Sequence, residues 1–150
     1  MMNYSYIRSC LEQAVQDERS LSCTDSYSRY VYRGFAFLRA LGLTVEEHSK
    51  DLPENVVGRI SYKYKTVKFD ESSASHALMT IAHETGHWIS YLRYSYRENS
   101  TNRERERWAY FYGWVVLKWL GARSLISKES WRNHHFLQNL EEPGELGWQH

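Results

Sequence analysis

His83-Glu84-Thr85-Gly86-His87 sets two imidazoles four residues apart with a carboxylate beside the first. On a helix, residues four apart project from nearly the same angle, so the two rings can grip one ion between them. Zinc favours such borderline nitrogen ligands and is redox-inert. Glu84, turned about 100° from His83, can reach a water at the ion without being a ligand itself. That division of labour belongs to metal-assisted hydrolysis, which needs a third ligand and an open fourth position. Glu106, nineteen residues after His87, supplies the carboxylate if a helical hairpin returns it to the two rings. It lies in line with Ala109 and Gly113, whose small side chains admit the first helix closely at the level of Gly86. Its neighbour Glu104 has a local task in Thr101-Asn102-Arg103-Glu104, which matches a capping box. Glu106 has none. The plain alternatives are two surface histidines on a helix and a solvated Glu106.

Several elements must position this constellation. Asp70-Glu71-Ser72-Ser73-Ala74 offers caps and a favourable dipole partner to a helix of about twenty residues. That helix faces the core with Leu78, Ile81, Ala82, Thr85, Ile89 and Leu92, and ends between 94 and 99. The next helix starts at Thr101 and stops at Gly121. It is apolar almost all round through Trp108, Ala109, Phe111, Tyr112, Val115, Val116 and Trp119, which predicts that it crosses the domain centre. Ahead of them, Ile7, Leu11, Ala14 and Val15 mark one amphipathic helix, interrupted by the polar stretch over 20–28. Tyr30, Val31, Gly34, Phe35, Leu38 and Leu41 mark a second helix, with Gly42 as its left-handed stop. A short strand is expected around 43–45 in a connector that includes Pro53. Between Arg59 and Asp70, Ile60, Tyr62 and Tyr64 alternate with Ser61, Lys63 and Lys65, and Val67 and Phe69 then take the opposite parity. This predicts an antiparallel strand pair with a turn or bulge near Thr66, a wet lysine face, and an edge able to accept a partner strand. Trp131, Phe136, Leu137 and Leu140 suggest a short closing helix before a Pro/Gly-containing tail. The predicted fold is therefore α+β: one mainly helical domain over 1–150, with a small antiparallel sheet packed beside the helix carrying His83 and His87.

Composition narrows the function classes. Nineteen Lys and Arg against eighteen Asp and Glu give a net charge of +1, without the basic excess of a nonspecific nucleic-acid binder. Arg97, Arg103, Arg105 and Arg107 alternate with Glu98, Glu104 and Glu106 and read as a solvated, salt-bridged helix entrance. The apolar runs fall short of a signal peptide or membrane span. Cys10 and Cys23 lack a CxxC partner and fit two reduced thiols in the cytoplasm, the alternative being a single bridge. Twelve Tyr, six Trp and five Phe suit an aromatic core first, and contact with extended chains second.

The run Val67-Lys-Phe-Asp, a polar turn, and Leu78-Met-Thr-Ile-Ala-His-Glu-Thr-Gly-His87 resembles the strand and active-site helix of ImmA/IrrE-type metallopeptidases. Glu106-Arg-Trp-Ala109-Tyr-Phe-Tyr112-Gly113 is similar to their second motif. The resemblance covers Arg59 to Leu120. It implies that His83, His87 and Glu106 bind Zn2+, that Glu84 is the base, and that the substrate is a protein or peptide, with repressor proteins the targets of characterised members. Such peptidases are often encoded by phages and mobile elements. The chain departs from the family in lacking the apolar-Pro pair after the second motif and a preceding helix-turn-helix module. A metzincin extension is excluded, since Arg93 stands where its third His would fall.

An oxyanion donor would come from Tyr91, His134 or His135, among which the sequence does not choose. His134 and His135, adjacent on a helix and pointing apart, read as surface residues. His76 lies nearly on the ligand face but about 10 Å along the helix, which makes it a groove residue and not a ligand. Two other readings compete: a catalytically inactive zinc-binding protein-interaction module, and a metal-free nucleic-acid binder.

Overall fold

The polypeptide, seen in a computed structural model that describes residues 4–18, 26–52, 56–70, 74–94 and 101–139, is a mainly helical α+β fold with one small sheet. Its elements are α1 (Tyr4–Glu18), α2 (Ser26–Ala40), β1 (Thr44–Glu46), β2 (Gly58–Ser61), β3 (Thr66–Phe69), α3 (Ala74–Tyr94), α4 (Asn102–Leu120), a 3-10 turn (Arg123–Leu125) and α5 (Lys128–Asn139). Among the described residues no helix is long and apolar enough to cross a membrane. The polar break over 20–28, Pro53, the capping stretch over 70–74, the end of the third helix and the tail after 139 lie wholly or partly outside the described residues. So do Cys23, Arg97, Glu98 and Leu140, and the side chains of His135, Phe136 and Leu137.

α1 buries Ile7, Cys10 and Ala14, and α2 buries Val31, Phe35, Phe37 and Leu38 in the shared core. The Cys10 thiol is free and points at the Ala40 carbonyl, 3.3 Å away. α2 ends because Gly42 takes φ 98°, a left-handed conformation that suits glycine, and lets Leu43 N–H bond Leu38 O.

The sheet order is β1-β3-β2. β2 and β3 are antiparallel, with Ile60 opposite Val67, as the alternation leads one to expect. β1 instead runs parallel to β3, with Val45 beside Val67, so the sheet is mixed and not purely antiparallel. A strand of three residues carries too little periodicity to reveal its direction. The turn occupies 62–65, and Lys65 adopts φ 53° there. Lys63 and Lys65 therefore belong to the turn, and of the three lysines only Lys68 lies on a strand, bonding Asp51 at 2.7 Å.

The centre of the fold is α3, not α4. Every residue from Ile81 to Ser90 is buried, whereas α4 leaves Trp108 41% and Phe111 57% exposed. Apolar count misleads here because large aromatic rings tolerate half-exposure, and Trp108 lies beside Tyr112 with the rings tilted at 35° and centroids 6.1 Å apart. The polar residues of α3 conceal its central place: Thr80 and Thr85 return their hydroxyls to the carbonyls of His76 and Ile81.

Candidate metal centre

The site is made by one helix crossing. A Cβ on Gly86 would stand 2.5 Å from Ala109 O and 2.7 Å from Gly113 N, so the backbones of α3 and α4 touch there. A Cβ on Gly113 would in turn meet Ala82 O at 2.9 Å and the Trp131 ring at 2.6 Å. α4 is aimed at this crossing by its caps. Thr101 accepts from Glu104 N–H at 3.1 Å, and Gly121 ends the helix at φ 82°. Glu106, one turn before Ala109 on the same face, is thereby turned inward onto α3.

His83, His87 and Glu106 come together as the spacing implied. Glu106 Oε2 lies 3.0 Å from His83 Nε2, and Glu106 Oε1 lies 3.1 Å from His87 Nε2. The two rings stand edge to face at 81°, centroids 4.8 Å apart. One ligand atom from each residue fits within 4.8 Å of the others, and all three side chains are buried. Ligands held about 2.0–2.1 Å from a tetrahedral ion stand about 3.3 Å apart, so the three atoms are already gathered to within about 1.5 Å of the spacing an ion requires. Two imidazole nitrogens and a carboxylate suit zinc and not the all-oxygen cages of calcium or magnesium. His87 Nε2 hydrogen-bonds Glu106 Oε1, and His83 Nε2 stands within ion-pair distance of Glu106 Oε2. With an ion bound, both Nε2 atoms would be ligands and each ring would carry its proton on Nδ1.

Glu84 is fully buried and lies outside this three-residue group. A Cβ on Gly58 would stand 3.5 Å from Glu84 Cγ, so the first residue of β2 sits directly over the Glu84 side chain. Because β2 is an edge strand, the carboxylate adjoins the side of the sheet where an extended chain could pair.

Two expectations about flanking residues are corrected. His134 is 3% exposed, not a surface residue; its ring lies 6.1 Å from that of His83 and 5.0 Å from that of His76. The signal was available in Trp131, three residues earlier on the same helical face, which is buried and stacks on His134. Arg105 is buried too, so the helix entrance is not wholly solvated; Arg103 and Arg107 are exposed. His76 is half-buried and outside the ligand group, and burial holds its pKa below the ordinary histidine value. Tyr91 is engaged in a stack with Tyr62 and Trp88. Comparison of the chain with protein families, curated proteins and solved structures finds no match.

Proposed function

We propose that the chain is a zinc-dependent metallopeptidase of the ImmA/IrrE kind, hydrolysing a peptide bond in a protein substrate. The observation that carries the reading is the meeting of His83, His87 and Glu106 at a buried point, with Glu84 on the same helix but outside their group. Three protein ligands leave a fourth tetrahedral position open, the pattern of catalytic and not structural zinc sites. Zinc held there would supply Lewis acidity, polarising a carbonyl and bringing the pKa of water toward about 7.

The chain's own residues do the remainder. His83, His87 and Glu106 hold the ion on two helices whose crossing is fixed by backbone contact. The Glu84 carboxylate accepts the proton of the attacking water and then delivers it to the leaving amine nitrogen. β2 offers its edge to the substrate, which adds as an extended strand alongside Glu84. A repressor protein is the substrate class that the family resemblance suggests, and the cytoplasm is the compartment that suits the free Cys10 thiol.

The test is a pair of measurements on purified protein: elemental analysis, and cleavage of a pool of quenched fluorescent peptides. Wild type should hold zinc equimolar with chain and cleave. Glu84→Gln should hold the same zinc and not cleave. Equal cleavage by the two refutes the assigned base. Zinc in both with cleavage in neither leaves a metal-stabilised interaction module as the reading.

A further inference from the structure

We infer that His134 is a catalytic residue whose ring N–H donates a hydrogen bond to the oxygen of the tetrahedral intermediate. The inference rests on the metallopeptidase reading and adds one group to the same site. His134 comes from α5, a helix that contributes none of the three candidate ligands, yet its buried ring lies 6.1 Å from the His83 ring. It is outside the group of ligand atoms that lie within 4.8 Å of one another. That places it too far to close the cage and near enough to meet a substrate atom held beside the cage.

Its position is fixed from two directions. Trp131 stacks on it at 18° with centroids 6.1 Å apart, and Trp131 is itself pinned by donating its indole N–H to Tyr110 O at 3.2 Å. On the other side His76 of α3 presents an edge at 5.0 Å and 70°. Preorganised donors of this kind contribute most in a site closed to water, because they need no reorientation as charge develops. A leucine or phenylalanine would fill the same volume without the cost of burying a polar ring.

The step balances as follows. Water oxygen bonds to the carbonyl carbon, its proton passes to Glu84, and the carbonyl π pair moves onto the oxygen that His134 stabilises. When that pair returns, the C–N bond breaks and the amine takes the proton from Glu84. His134 keeps its own proton throughout.

Two substitutions separate donor from ring. His134→Phe keeps an aromatic ring against Trp131 and removes the donor; His134→Asn restores a donor. Both are compared with wild type for zinc content, for turnover of the peptide pool, and for calorimetric affinity of the zinc-loaded protein. The calorimetric ligands are N-phosphoryl-leucinamide, whose tetrahedral oxygens stand in for the intermediate, and azide, which lacks them. For His134→Phe the expected result is unchanged zinc and azide binding, with kcat and phosphoryl affinity down about 10²–10³-fold and KM little altered. His134→Asn should recover about tenfold or more of that loss.

Wild-type phosphoryl affinity in His134→Phe overturns the inference, as does loss of zinc or a parallel loss of azide binding. Failure of the proposed function looks different: no cleavage by wild type removes the peptidase reading, and cleavage indifferent to Glu84→Gln removes its assigned base. Failure of this inference alone leaves Glu84→Gln inactive and His134→Phe active.

Discussion

Gly86→Ala places a methyl group where the structure has no room for one. The new Cβ would stand 2.5 Å from Ala109 O, 2.7 Å from Gly113 N and 3.2 Å from Gly113 Cα, all backbone atoms that no rotamer change can move. Ordinary contact begins at about 3.4 Å, so α3 and α4 must part locally by roughly 0.7–0.9 Å. Glu106 rides on α4 one turn from Ala109, and its oxygens recede from His83 and His87 with it. Metal sites tolerate ligand displacements of only about 0.2 Å, so zinc affinity should fall about 10–100-fold, the loss typical of disturbing a ligand's support. Fold stability changes less. Overpacking costs about 1–3 kcal/mol, while alanine is better than glycine in a helix by about 1 kcal/mol. The net is about 0–2 kcal/mol, a fall of roughly 0–8 °C in the Tm of the metal-free chain. Competition against a chromophoric chelator measures the first quantity and thermal melts of metal-free protein the second. Gly113→Ala, which meets Ala82 O at 2.9 Å, should act in the same direction. A Gly86→Ala protein that binds zinc as tightly as wild type would show that this crossing does not set the position of Glu106.

Zinc at about a hundredfold excess over its Kd stabilises a folded chain by about 2.7 kcal/mol, or roughly 5–10 °C in Tm at this length. Melts with and without a chelator should show that increment in wild type and Glu84→Gln and lose it in Glu106→Ala; an increment surviving in Glu106→Ala places the metal elsewhere. Thr101→Ala removes the acceptor for Glu104 N–H and should cost about 0.5–2 kcal/mol in urea unfolding, with no change in midpoint counting against the cap. Burial holds the folded pKa of His76 below its ordinary 6.5. Its contribution is therefore fully present above pH 6.5 and is lost as pH falls from there toward the folded value, because the unfolded chain takes up a proton that the fold refuses. Urea midpoints of metal-free protein above and below that pH should converge in His76→Asn; an unchanged acid slope would assign it to other groups.

The local part of this site was legible because its geometry repeats within one helix. His83 and His87 meet by helical period alone, and Glu84 is turned away by the same period. Glu106 was legible for a different reason: Gly86, Ala109 and Gly113 are small where two helices must touch, and that crossing carries the carboxylate nineteen residues back to the rings. His134 was not legible from spacing between the histidines, since the 3-10 turn at Arg123–Leu125 and the start of α5 decide where its ring arrives. The direction of β1 and the exposed side of α4 escaped for the same physical reason. Each depends on which neighbour arrives, and a three-residue strand or an aromatic-rich helix does not encode that in its own pattern.

The triad's geometry bears on how metal and fold are coupled. Glu106 Oε2 already lies 3.0 Å from His83 Nε2 and Oε1 lies 3.1 Å from His87 Nε2, so the carboxylate stands against both rings. Binding then asks for adjustment of side chains already gathered within 4.8 Å of one another, not for assembly of the helices. The core that fixes the crossing, from Phe35 and Leu38 through Ile81 and Ile89 to Val116, Leu117 and Trp131, is packed independently of the ligands. Metal-free protein should accordingly keep its helical circular dichroism and a cooperative melt, unlike small domains whose zinc supplies their folding energy. A chain that loses its helices on chelation would mean that the ion organises the α3–α4 crossing, reversing the order of cause argued from Gly86 and Gly113.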